Sequence, residues 1–177
     1  MKPILAAAIL LLAACSPEAA PEPVLTPEGL GPIKIGMTAD AAETTLGVKL
    51  FAGPRPALTD DGCTYGRRVD GKDPEIGYMF EKGRITRIDV LPGKVTESKV
   101  VTQKGFGIGS READVVKAYG AKLQIQLHPY LEKGQGSYLV VDAPDHQSGI
   151  IFETEHGTVT SFRGGNYPAL GYKEGCG

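Results

Sequence analysis

Three cysteines, three histidines and a few loop aspartates are the side chains of this sequence best equipped for chemistry. None of His128, His146 and His156 stands four residues from another or beside a cysteine, so the spacing offers no zinc site. Each reads as a polar residue of a loop or turn. His128-Pro129-Tyr130 is an unusual cluster that a packed tyrosine on a restricted backbone explains without a ligand. Asp60-Asp61 and the pair Asp142 and Asp145 have the spacing of solvated turns, not of a calcium loop. No Gly-x-Ser-x-Gly elbow occurs, and Gly107-Ile108-Gly109 is too short for a dinucleotide-binding turn. Cys63 and Cys176 have no neighbouring histidine to activate a thiolate. The expectation is a protein with no catalytic residue, no metal and no cofactor.

The elements around these residues begin with an export signal. Met1, Lys2 and Pro3 precede an apolar run over residues 4–14, too short for the ~20 residues a membrane span needs but suited to a signal peptide. Its end, Leu12-Ala13-Ala14-Cys15, resembles the lipobox of bacterial lipoproteins. The resemblance implies cleavage before Cys15, acylation of that cysteine and an anchor firm enough to hold the protein at a membrane. Ser16 stands where an inner-membrane retention signal of enterobacterial lipoproteins would carry Asp, which points to the outer membrane. Residues 1–14 are thus expected as signal peptide, and residues 15–27, with Pro17, Pro21, Pro23 and Pro27, as a flexible tether.

In the oxidising compartment that export implies, Cys63 and Cys176 form an even pair. A bridge would close a loop of over a hundred residues and contribute about 4–5 kcal/mol through chain entropy; two free thiols are the alternative. Cleavage removes Lys2 and takes the formal charge from −2 to about −3, and no basic stripe exists, so nucleic acid is not an expected partner. With no Trp and five Phe, the core must rest on aliphatics and Tyr, while 24 Gly and 13 Pro indicate many turns.

A duplication with a period near 73 residues organises the rest. Ile35-Gly36 and Ile108-Gly109 each precede a short helical stretch that closes at Gly47 or Gly120. Thr38 and Ser110 can cap the helix starts, and the glycines can take the left-handed conformation at their ends. Ala41, Ala42, Thr45 and Leu46 in one stretch, and Val115, Val116 and Tyr119 in the other, give an apolar stripe that must dock on something. A hairpin follows in each unit: the segment from Phe80 through Gly83 to Ile88 answers to the one from Phe152 through Gly157 to Phe162, with two extra residues in the later turn. With a three-residue first loop, Ile76, Tyr78 and Phe80 share a buried face with Thr86, Ile88 and Val90, while Glu81, Arg87 and Asp89 face water. Cys63-Thr64-Tyr65 and residues 137–141 supply earlier strands, and residues 52–62 and 142–149 read as loops. The expected fold is α+β: two tandem helix-plus-antiparallel-sheet units, residues 28–98 and 99–177, fused into one domain with helices on one face of the sheet.

Gly36-Met37-Thr38, Leu46-Gly47, Tyr78-Met79-Phe80-Glu81 and Gly83-Arg84-Ile85-Thr86 resemble the pattern of the BamE/SmpA/OmlA-type outer-membrane lipoproteins. The tandem arrangement is similar to the fold of the β-lactamase inhibitory proteins (BLIP-like), which grip an enzyme with an open sheet face. The resemblance implies a non-catalytic protein-binding or assembly module whose partner is another envelope protein. The alternative is an inhibitor or immunity protein directed at a periplasmic hydrolase. The expected partner surface is the exposed sheet face carrying Tyr65, Glu81, Arg87, Asp89, Tyr138, Glu153, Ser161 and Arg163.

Overall fold

Two hairpins whose reversal is a residue pair with positive φ form the frame of the molecule. Lys82 and Gly83 have φ 50° and 73°, and His156 and Gly157 have φ 48° and 77°. Such two-residue turns match the twist of the strands they join. The computed structural model describes residues 23–54, 62–93 and 98–176; residues 1–22, with Cys15, lie outside them, as do Asp60 and Asp61.

In chain order the strands are β1 (Val24–Thr26), β2 (Gly29–Leu30), β3 (Ile33–Lys34), β4 (Cys63–Gly66), β5 (Ile76–Glu81), β6 (Arg84–Val90), β7 (Val101–Thr102), β8 (Leu123–Leu127), β9 (Gly136–Asp142), β10 (Ser148–Glu155) and β11 (Thr158–Asn166). The helices are α1 (Ala39–Leu46) and α2 (Glu112–Tyr119). The protein is mixed α and β and dominated by its sheets. A seven-stranded antiparallel sheet runs β4-β5-β6-β11-β10-β9-β8, and a four-stranded sheet runs β3-β2-β1-β7 with β1 parallel to β7. Val24–Thr26, expected in the tether, is instead the strand that clips β2 to β7, with Leu25 wholly buried.

The same bonds occur twice. Gly36 donates to the Ile85 carbonyl at 2.7 Å and Gly109 to that of Val159 at 2.8 Å; Ile85 returns a bond to Met37, and Val159 one to Ser110. Gly36 and Gly109 reach this geometry with φ 89° and 88°, which a side chain at either position would strain. Each hairpin carries a bulge at the matching place, Thr86 opposite Met79/Phe80 and Thr160 opposite Glu153/Thr154. These bulges correct two expectations. Both turns hold two residues, so the later one has no insertion, and Phe152 answers to Tyr78, not to Phe80. Because the bulge absorbs Thr86, Ile85 takes the buried position expected for Thr86.

The helix caps differ. Thr38 Oγ1 accepts from the Ala41 amide and Gly47 closes α1 in the left-handed region. At α2 the cap position falls to Arg111, which makes no side-chain cap bond, and Ser110 Oγ accepts from the Gly107 amide instead. Glu112 and Asp114 in the first turn offset the helix dipole there. Ala39, Ala42 and Val115 enter one buried cluster with Phe80, Ile85, Ile88, Phe152, Val159 and Phe162. Between β6 and β11, Gly164 and Gly165 let backbone approach: a Cβ on Gly165 would stand 2.3 Å from the Thr86 carbonyl oxygen.

Candidate functional site

The alternation of β6, β10 and β11 that buries Ile88, Phe152 and Phe162 on one face turns Arg87, Asp89, Ile151, Glu153, Ser161 and Arg163 to the other. Ile151 there joins a second, smaller cluster with Tyr138, Val140 and Leu170. The structure brings Tyr65, Arg87 and Asp89 together near the middle of the sheet, and Tyr138, Glu153, Ser161 and Arg163 beside them. Their expected exposure does not hold. Arg87 and Asp89 are each 3 % exposed, and Arg163, Ser161 and Tyr138 are buried as well. The reason is the chain's own C-terminal segment, residues 167–176, which crosses this face as a strap. Cys176 is joined to Cys63 by a disulfide, Cα–Cα 5.3 Å, so the strap is tied to β4.

Two guanidinium groups hold the strap through its backbone. Arg87 Nη1 donates to the carbonyls of Ala169 and Tyr172, both at 2.8 Å, and Arg163 Nε donates to that of Leu170 at 2.9 Å. Arg87 also gives Nε to Asp89 Oδ2 at 3.0 Å and Nη2 to the Tyr65 hydroxyl at 2.6 Å, and that hydroxyl donates to the same Asp89 oxygen. The fork geometry and fixed charge of arginine suit this work. Burial, then the neighbouring Asp89 charge, pushes the Tyr65 pKa up to about 12.

Glu153 gathers the second group. His128 Nε2 lies 2.9 Å from Oε1, Ser161 Oγ donates to Oε2 at 3.3 Å, and Arg163 Nη1 stands 3.7 Å from Oε2. The Tyr130 amide donates to His128 Nδ1, which leaves the imidazole proton on Nε2, facing the carboxylate. Serine, histidine and acid thus meet, but the carboxylate stands between the other two. A histidine that does not reach the serine cannot take its proton, so the arrangement compensates Glu153 and does not activate Ser161. Arg163 lies over the Tyr138 ring at 5.0 Å, and its Nη2 is buried without a hydrogen-bond partner among the described residues.

His128 was expected in a loop; it follows β8 but is buried, 8 % exposed, with its ring edge on Tyr138. No spacing in the sequence announces this, because its partner Glu153 is 25 residues away. The loop it opens turns Tyr130 outward, 59 % exposed, with its hydroxyl donating to Glu174 of the strap at 2.7 Å. Tyr172, on the strap, is also exposed. The strap and the hairpin of β5 and β6 enclose a crevice of about 540 Å³ lined by Cys63, Glu81, Arg84, Thr86, Tyr167 and Tyr172. A larger open depression, about 810 Å³, lies by the start of α2 and includes none of the eight expected residues. Its Glu112 is engaged by the hydroxyls of Thr154 and Ser137.

Among the described residues no three His, Cys, Asp or Glu side chains are grouped to hold a metal ion, and no helix is long and apolar enough to cross a membrane. Comparison with protein-family models, with curated proteins and with solved structures finds no match to this chain.

Proposed function

We propose that this chain is an envelope lipoprotein, anchored through Cys15 and facing the periplasm from the outer membrane, that works as a non-catalytic protein-binding or assembly module. In this reading two tandem helix-plus-sheet units, BLIP-like in arrangement, are fused edge to edge through β6 and β11, with their helices on one face of the sheet. The partner meets the opposite face, where the strap is now part of the surface.

The observation that carries the reading is the pair of exposed tyrosines at that face. Tyr130 and Tyr172 project from the loop and the strap, and the Tyr130 hydroxyl is held by Glu174 of the strap at 2.7 Å. A tyrosine so fixed offers a large amphipathic surface and loses little rotamer freedom when a partner covers it, which suits a binding hot spot. Tyr65, Arg87, Asp89, Tyr138, Glu153, Ser161 and Arg163 support that surface from beneath, and Glu81 stands at its rim.

A photo-crosslinking residue at Glu132, beside Tyr130, is expected to trap one envelope protein in cells. The adduct should disappear in Tyr130→Ala/Tyr172→Ala, whose unfolding midpoint stays at the wild-type value. An adduct pattern unaltered by both substitutions overturns the assignment of the face. The anchor has its own test: radiolabelled palmitate enters the wild-type chain and not Cys15→Ser, and an unlabelled wild-type chain refutes it.

A further inference from the structure

The two ends of the seven-stranded sheet are finished differently. At the β4 end, the chain just beyond the strand is bonded: the Arg67 and Val69 amides donate to the carbonyls of Leu50 and Lys49, and Cys63 is tied to the strap. At the other end, β8 pairs only with β9. Its sequence is Leu123-Gln124-Ile125-Gln126-Leu127, without a charge, a proline or a bulge, the devices that ordinarily protect an edge. Ile125 and Leu127 are 59 % and 70 % exposed, among the largest exposures of any big apolar side chain described.

The backbone of β8 is oriented for pairing. The Gln135 carbonyl accepts from His156, and the Ala143 amide donates to Ser148, so the odd-numbered residues of β9 turn their polar groups to β10. The even-numbered residues of β9, Tyr138 and Val140, therefore serve β8, where their partners are Gln126 and Gln124. It follows that Leu123, Ile125 and Leu127 direct their backbone groups to the open edge. Among the described residues only the Leu123 amide has a partner there, the Gly120 carbonyl.

The five residues read the same in both directions. We infer that β8 is the interface of a homodimer, in which a second copy of this chain adds its own β8 antiparallel about a two-fold axis through Ile125, joining two sheets into one. In that register Ile125 faces its own mate, Leu123 faces Leu127, and Gln124 faces Gln126. Every apolar side chain then meets an apolar one on the α2 side, and every amide meets an amide on the other. A slip of one residue would put Gln against Leu throughout, and a slip of two would leave two residues of each β8 unpaired, so this register pairs the whole strand. The paired backbone groups are the Ile125 amide and carbonyl with those of the mate, and the Leu127 amide with the mate's Leu123 carbonyl. The two-fold axis makes the contact isologous and closed, so it ends at a dimer and not a fibre. The contact is made by the edge of β8 and not by the strap-covered face, and it does not depend on the function proposed above.

Cysteine trapping of the full chain in detergent tests the register. Hydrogen-bonded antiparallel partners have Cα atoms about 5.5 Å apart, inside the range a disulfide spans. Ile125→Cys is therefore expected to give a covalent dimer under mild oxidation. Leu123→Cys alone is not, because its two copies would lie four residues apart along the strands, about 13 Å, whereas an equal mixture of Leu123→Cys and Leu127→Cys should give the mixed dimer. Without cysteines, light scattering should report a dimer, and Ile125→Lys, which sets two ammonium groups face to face, should weaken it more than about tenfold. Ile125 is exposed in the single chain, so at a concentration where wild type has dissociated the two unfolding midpoints should coincide. A monomer at every concentration, trapping of Leu123→Cys as efficient as that of Ile125→Cys, or a foreign protein bound at β8 in place of a second copy overturns the inference.

Discussion

Replacing Arg87 by methionine keeps an unbranched apolar stem and removes all five donor groups of the guanidinium, which makes it the sharpest probe of the strap. In the folded protein Arg87 neutralises Asp89, bonds to Tyr65 and holds two strap carbonyls, at 3 % exposure. Asp89, equally buried, would keep only the Tyr65 hydroxyl. Removing one partner of a buried ion pair costs about 3–5 kcal/mol, because the remaining charge is left in a poor solvent. At roughly 2–4 °C per kcal/mol for a chain of this size, the midpoint of thermal unfolding should fall by about 6–20 °C. Urea unfolding of Arg87→Met, Asp89→Asn and the double variant measures the coupling. Asp89→Asn removes the stranded charge, so the double variant should be less destabilised than the sum of the singles by about 1–3 kcal/mol. Arg87→Lys should recover only part of the loss, since an ammonium cannot reach Asp89, Tyr65 and the two carbonyls together. A loss below about 1 kcal/mol for Arg87→Met, the range of a solvated surface pair, or strict additivity, would refute the account of how this face is held.

Serine at both Cys63 and Cys176 should cost about 4–5 kcal/mol, the entropy of closing a 113-residue separation, measured as the difference in urea stability between oxidised wild type and the variant; an unchanged midpoint would contradict it. All seven tyrosines are held above their ordinary pKa, Tyr130 chiefly by its bond to Glu174 and the other six chiefly by burial, with Tyr65, Tyr78 and Tyr167 at about 12. A folded pKa above the unfolded value of 10 stabilises the native state fully below pH 10 and progressively less as pH rises toward 12. Ultraviolet titration of the native protein should accordingly show less tyrosinate at pH 10 than seven free tyrosines give, with Tyr65, Tyr78 and Tyr167 ionising last; seven tyrosines titrating near 10 would oppose this. Gly165→Ala should cost about 2–4 kcal/mol, because its Cβ would meet a fixed backbone oxygen at φ 156°; wild-type stability for this variant would show that the β6–β11 seam can widen.

Much of this fold was legible where a backbone constraint writes itself into residue type. Gly36, Gly109, Gly83 and Gly157 all occupy positive φ, and their spacing located the helices and hairpins correctly. The alternation in β5 and β6 marked the buried face, and failed only at Thr86, where a bulge shifts the count by one. The strap was illegible for a physical reason. Residues 167–176 offer carbonyl oxygens, which every sequence has, to two arginines that look like surface charges when read along their own strands. The same reading gathered Arg87, Asp89, Glu153 and Arg163 on one face while missing what lies over them. Val24–Thr26 was lost among prolines, because a strand of three residues carries too little pattern to be seen. His128 was missed because its role is set by Glu153 across the sheet.

The sequence separation of 113 between the two bridged cysteines also imposes an order on biogenesis. At about 5–20 residues per second, Cys63 is synthesised some 6–20 s before its mate, and every strand of the large sheet lies between Cys63 and the strap. The nascent protein consequently passes through a stage in which the sheet can be complete while Arg87 and Arg163 still face solvent and one thiol is open to any oxidant. A chain halted before closure over the arginines would display a tyrosine-lined floor of paired charges, Arg87 with Asp89 and Arg163 with Glu153, that the finished protein conceals.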